Sequence, residues 1–168
     1  MRTEIKWALI ISLLNFLWLV LEYLCGFHTR YISALPYVTI FSIIIPIVFL
    51  REALLEKRNR RYKKTITFWL SVQTGATIIL ICSVISVFSV MIYFKLINPG
   101  FTEFMVSYAT QKAAENGENV ARVRSYATTY FSLTSYMQKA FAGTMFIGLF
   151  ITFIWAVLIS KKSKLGED

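Results

Sequence analysis

The chain has 168 residues, 57% of them hydrophobic and 16% charged, and a mean hydropathy of +0.59. This is too apolar for one water-soluble domain, because too little polar surface remains to cover it. The formal charge of +9 does not point to nucleic acid, since the basic residues bracket apolar segments and form no face of a soluble fold.

Arg2 and Lys6 precede an apolar run from Trp7 to about Leu24. A secretory signal has a shorter apolar region and a small-residue cleavage site; Glu22, Tyr23 and Leu24 before Cys25 supply neither that nor a lipoprotein site. The run is read as a retained transmembrane helix over 7–25, its apolar part of about eighteen residues rising roughly 27 Å, close to the hydrocarbon thickness. Gly26 ends it, and Phe27 to Arg30 lead into a second span over 31–50. Pro36 falls in the first turns, where a missing N–H costs little. Pro46 is interior and deprives the Ser42 carbonyl of its partner, which predicts a bend. A kink for packing is the plain reading and a gate the alternative.

Residues 51–64, REALLEKRNRRYKK, hold seven basic side chains in fourteen. Ala53, Leu54 and Leu55 favour continued helix, with Glu56 and Arg60 spaced to pair. So basic a run resists translocation and sets the threading of both neighbours, which makes it a cytoplasmic loop. Arg58, Arg60, Arg61, Lys63 and Lys64 are expected at the headgroups of anionic lipids, each contributing on the order of 1 kcal/mol. A nonspecific anchor is favoured there over a dedicated site.

The third apolar run, 65–97, would make about 50 Å of helix against a hydrocarbon core of about 30 Å. Its far end is expected to project on the outer side, where Tyr93 and Lys95 suit a wetter place. Ser71 with Gly75, and Cys82 with Ser86, are small-xxx-small pairs that let helices approach closely. Asn98, Pro99 and Gly100 then break the helix.

Residues 98–138 read as an extracytoplasmic helical region. Phe101, Phe104, Met105 and Tyr108 recur at helical spacing and predict an amphipathic helix ending near Asn116 and Gly117. Its apolar face is expected on the projecting end of the third helix, ahead of the alternative, the outer headgroup region. Val120, Val123, Ala127, Tyr130, Thr134 and Met137 carry the spacing onward, predicting a single rod from about Asn119 to Ser160. Within the last span, 139–160, Ala140, Thr144, Gly148, Thr152 and Ala156 stand four apart, a row for close packing inside one bundle or, less favoured, in an oligomer. Lys161, Lys162 and Lys164 follow.

With both termini and the central run inside, twelve Lys/Arg lie on the inner side and six outside. The asymmetry fits four spans with both ends cytoplasmic. The expected fold is an all-α polytopic membrane protein, a single integral domain over 1–168. It has four transmembrane helices, long third and fourth ones, and a small helical extracytoplasmic cap. Cys25 and Cys82 form no Cys/His cluster, so no metal or cofactor is expected.

The stretch EYLCGFH from Glu22 to His28, the basic link after segment two and KLINPGFTEFM from Lys95 to Met105 carry a resemblance. Together with the order of the four apolar segments they resemble a bacterial domain-of-unknown-function family numbered 4199. That resemblance implies a small four-helix inner-membrane protein, and brings no activity, substrate or catalytic residue.

Glu22 is the one acid inside an apolar span, a costly place for a charge and so a functional candidate. His28 and Arg30 follow closely enough to meet it, and its shallow depth favours a structural pair over proton coupling. Three functions stand in order. The first is a non-enzymatic bundle that assembles with another membrane protein or with itself in an anionic bilayer. The second is a small proton-coupled transporter or channel using Glu22. The third is an enzyme on lipids, which needs Glu22, His28 and Arg30 in one pocket.

Overall fold

A computed structural model describes residues 2–61 and 65–164, with Arg61 and 161–164 described in backbone only. The expectations for Lys63 and Lys64, and for the Arg61 side chain, lie outside the described residues. Every described element is helical. α1 spans Thr3–Leu24, α2 Leu35–Ile40, α3 Ile44–Arg61, α4 Phe68–Ile92, α5 Phe101–Glu115, α6 Val120–Tyr130 and α7 Leu133–Lys164.

Four stretches are long and apolar enough to cross a membrane: Thr3–Leu24, Ile32–Arg60, Phe68–Ile97 and Leu133–Ser160. They are apolar on the outside as well as within. Leu9, Leu13, Leu17 and Leu21 stand four apart on α1, each about half exposed, and Phe146, Phe150 and Phe153 are exposed on α7. Water would penalise such a surface, whereas lipid accepts it. Meanwhile Ser71, Thr74, Ser83 and Thr152 are buried. Thr74 and Ser83 donate to the carbonyls of Leu70 and Ile79 at 2.7 and 2.8 Å, satisfying each hydroxyl within its own helix. The chain is a multi-pass helical membrane protein.

α4 and α7 form the main seam, and α1 and α3 complete the ring. The predicted small residues make the seam possible. A Cβ on Gly75 would run into Thr152, and one on Gly148 into Ile79. Ser71, Cys82 and Ala156 are also buried within the bundle, so the close-packing face is covered by the chain itself. Ala8, Ile11, Leu50, Ala53, Ile78 and Ile151 fill the core toward the end that carries the basic run.

The second span is not one uniform helix. A 3₁₀ turn over Phe41–Ile43 separates α2 from α3 just before Pro46, and Ser42 Oγ donates to Thr39 O at 2.7 Å. This is the disturbance expected where a proline removes a helical N–H. α2 packs loosely on the other spans, so the half of the bundle away from the basic run is less filled.

α4 ends in a π-turn over Tyr93–Ile97, closed by Asn98 N donating to Tyr93 O at 2.8 Å. Phe101 and Met105 of α5 pack there against Tyr93 and Phe94, edged by Leu19, Tyr23 and Tyr136. α5 thus lies on the bundle end, as its apolar spacing predicts. The rod predicted over 119–160 is instead two helices, broken at Phe131 and Ser132. In an unbroken helix Ser135 N would bond to the Phe131 carbonyl. Here that carbonyl accepts from Thr102 Oγ1 at 2.9 Å, and Ser135 N donates to Ser132 Oγ at 3.3 Å. Side-chain caps have outcompeted the backbone bond.

Candidate functional site

α1 ends in a turn that its sequence dictates. Gly26 has φ +80°, a conformation costly for any residue with a Cβ. Phe27 N donates to Glu22 O at 3.0 Å and Gly26 N to Tyr23 O at 2.9 Å, the paired bonds of a Schellman cap. The chain therefore folds back over its own last turn, and His28 comes down on Glu22.

Glu22, His28 and Tyr93 are 2%, 4% and 2% exposed. His28 Nε2 lies 3.4 Å from Glu22 Oε2, and Trp18 Nε1 donates to Glu22 Oε1 at 2.7 Å. On the other side of the imidazole, Nδ1 meets the Tyr93 hydroxyl, which accepts from Asn98 Nδ2 at 2.9 Å. With the Asn98 amide nitrogen donating to the hydroxyl oxygen, the arrangement suits a Tyr93 proton directed to His28 Nδ1 and a ring proton on Nε2 facing Glu22. Asn98, Tyr93, His28 and Glu22 thus form one directed chain of donors, with Trp18 closing the far oxygen. Phe101 covers the imidazole at 5.7 Å between ring centroids, and Tyr23 stands edge-on to Tyr93 at 6.0 Å.

Below this network lies a cavity of about 310 Å³, walled by α1, α2, α4 and α7 and reaching from Glu22 down to Ser12 and Cys82. Asn15, Ser42 and Ser89 line it. Each donates to its own helix: Asn15 Nδ2 to Ile11 O at 3.1 Å, Ser42 Oγ to Thr39 O at 2.7 Å, and Ser89 Oγ to Ile85 O at 3.1 Å. Their side-chain oxygens keep free lone pairs. No Lys or Arg lines the cavity among the described residues. The site is therefore largely apolar, with hydroxyl and amide groups on its walls and one carboxyl group at its end, and the carboxyl suits a ligand that carries positive charge.

Of the predicted site residues, Glu22 and His28 meet and Arg30 does not join them. Arg30 is exposed, its guanidinium over the Tyr31 ring at 5.4 Å. The set needed for lipid chemistry is not gathered. Ser86, Ala140, Thr144 and Gly148, predicted for helix packing, line the cavity. Trp18, Tyr93 and Asn98 were not singled out as site residues from sequence. Trp18 sits four residues before Glu22 on one helix face, a signal available in advance. Tyr93 lies 65 residues from His28, and no local pattern connects them.

At the opposite end two described cations of the basic run, Lys57 and Arg60, meet carboxylates. Lys6 Nζ and Trp7 Nε1 donate to Glu56 Oε2 at 2.6 and 2.9 Å, Arg60 approaches Glu56 at 3.5 Å, and Lys57 bonds Glu4. Among the described residues no three His, Cys, Asp or Glu side chains gather to hold a metal.

These features define a class: a four-span helical membrane protein with a buried acid–imidazole pair at the mouth of an intrabundle cavity. The family model described as "Protein of unknown function (DUF4199)" matches residues 6–161, and the chain belongs to that family. No curated protein and no solved structure matches it.

Proposed function

We propose that this protein binds a small amphiphilic cation in its four-helix cavity and couples that binding to proton exchange at Glu22 and His28. One observation carries the reading: a carboxyl group 2% exposed, facing an imidazole, ends a cavity otherwise lined by apolar groups, hydroxyls and an amide, with no Lys or Arg among the described residues. A charge is costly there, so a bound cation and a proton are alternatives for balancing Glu22. The loosely packed α2, with its 3₁₀ turn before Pro46, is the wall that moves to admit the ligand.

We place the protein in an inner membrane, with termini and basic run cytoplasmic and α5–α6 outside, on the distribution of twelve against six Lys/Arg. The test is reconstitution into liposomes with a trapped pH dye and phenylguanidinium as solute. The expected result is a solute-driven proton flux that Glu22→Gln abolishes. An unchanged flux in Glu22→Gln, or no flux with any cation tried, removes the proposal.

The assembly reading draws little on the small-residue row, because Gly75 packs on Thr152 and Gly148 on Ile79 inside the bundle while Ser86, Ala140 and Thr144 line the cavity. It retains one feature: Tyr126 and Tyr130 of α6 stack at 5.5 Å and are 68% and 42% exposed, beside Arg122 and Arg124. An exposed aromatic pair outside the spans is suited to another membrane protein or a second copy. Cross-linking and co-purification from native membranes that find only monomer defeat it.

A further inference from the structure

The face of α3 that looks toward α7 changes character along its length. Ile44, Ile47, Val48, Arg51, Leu55 and Arg58 follow one another at helical spacing, so an apolar stripe ends in two guanidinium groups. Ile47 and Val48 are 38% and 44% exposed, and Ile154 and Leu158 on α7 are 42% and 47% exposed. Where the two helices separate, Arg51, Leu55, Arg58, Trp155, Leu158 and Ile159 enclose a cleft of about 320 Å³.

The cleft is held in shape. Trp155 Nε1 donates to Ile47 O at 2.8 Å, which fixes the indole across the two helices. Arg51 lies over that ring, 5.7 Å from its centroid, so aromatic packing restricts its side chain. Its contact with Glu52 is between exposed neighbours, a pairing of little strength in water. Arg58 reaches only the Asn59 side-chain oxygen, at 3.2 Å, and has no carboxylate partner among the described residues. This separates Arg58 from Lys57 and Arg60, which answer Glu4 and Glu56. Among the described residues no acid lines the cleft.

We propose that this cleft binds an anionic phospholipid, its phosphodiester oxygens taken by Arg51 and Arg58 and an acyl chain laid along the stripe through Val48 and Ile154. Charge complementarity selects the occupant, because planar guanidinium groups match phosphate oxygens and are weakly hydrated enough to sit beside lipid. The position agrees: Arg51 directly follows the apolar part of the span, the depth at which a headgroup lies. Two turns of helix, about 10 Å, separate the arginines. That spacing suits a lipid with two phosphodiesters better than one. The site is independent of the cavity at Glu22.

The experiment is native mass spectrometry of the delipidated full chain, titrated separately with cardiolipin, phosphatidylglycerol, phosphatidylcholine and inorganic phosphate. Cardiolipin is expected to bind tightest, phosphatidylglycerol next and phosphatidylcholine weakly, with inorganic phosphate displacing none of them. The double variant Arg51→Gln/Arg58→Gln should bind cardiolipin about thirtyfold more weakly. Arg122→Gln/Arg124→Gln, which removes the same charge elsewhere, should bind as the unaltered chain does. Gel filtration in detergent checks that both variants keep the parent's elution. Equal binding of phosphatidylcholine, displacement by inorganic phosphate, or equal loss in the two double variants overturns the proposal.

Discussion

The two ends of the bundle use the same chemistry for different ends. Near the basic run, Glu56 accepts from Lys6 and Trp7 and stands near Arg60, with 14% of its side chain exposed and 74% of Arg60's. At the other end Glu22 accepts from Trp18 and faces His28, and neither carboxyl nor imidazole reaches the surface. Both are carboxylates held by an indole N–H and a nitrogen base. What separates them is solvent and fixed charge. Largely covered but held by the Lys6 ammonium and near the Arg60 guanidinium, Glu56 has its charge balanced by fixed cations and acts as a clamp between α1 and α3. Glu22 meets an indole and an imidazole and, among the described residues, no Lys or Arg, so its carboxyl group sits where a charge is costly.

The sharpest test of this contrast is Glu22→Ala. Removing it leaves the indole and imidazole nitrogens buried without acceptors, and about 3–5 kcal/mol should be lost in detergent unfolding. Glu56→Ala should cost about 2 kcal/mol, because the partners left behind can turn to water. If the two losses are equal, burial does not distinguish the ends. Tyr93→Phe should cost about 1 kcal/mol by releasing Asn98 and His28 Nδ1, with the fold retained. A loss as large as that of Glu22→Ala would place the anchor of the network at Tyr93.

Smallest of all should be Glu115→Gln. Its bond from Lys112 holds the Glu115 carboxyl below the usual range and the Lys112 ammonium above its own. A carboxylate lowered in this way contributes only above its unfolded range and loses that contribution as pH falls through the folded one. Both groups are fully exposed, so the melting temperature should not move at neutral pH. A measurable shift would reveal a partner in contact with α5.

How much of this could be read in advance follows the range of each interaction. The spans, the continuation of α3 through Arg60 and the small-residue seam rest on composition and short spacing. Glu22 with His28 was within reach because only six residues separate them. The break at Ser132 was not, since its apolar spacing continues unbroken and a hydroxyl from Thr102, thirty positions earlier, takes part in it. The sequence suits Tyr93 to a wetter place, and the structure buries it under α5 instead. The same aromatic ring suits a membrane interface or a core, and only the position of Phe101 decides between them.

The bonds Lys6–Glu56 and Lys57–Glu4 join positions 50 and 53 apart, all within the first two spans. Both can therefore close before α4 has left the ribosome, so α1 and α3 are able to enter the bilayer as a latched hairpin that later spans use as a template. A nascent chain lengthened just until residue 64 has cleared the ribosome should already cross-link between cysteines placed at positions 8 and 53. If that product forms only after α7 is made, insertion follows another order.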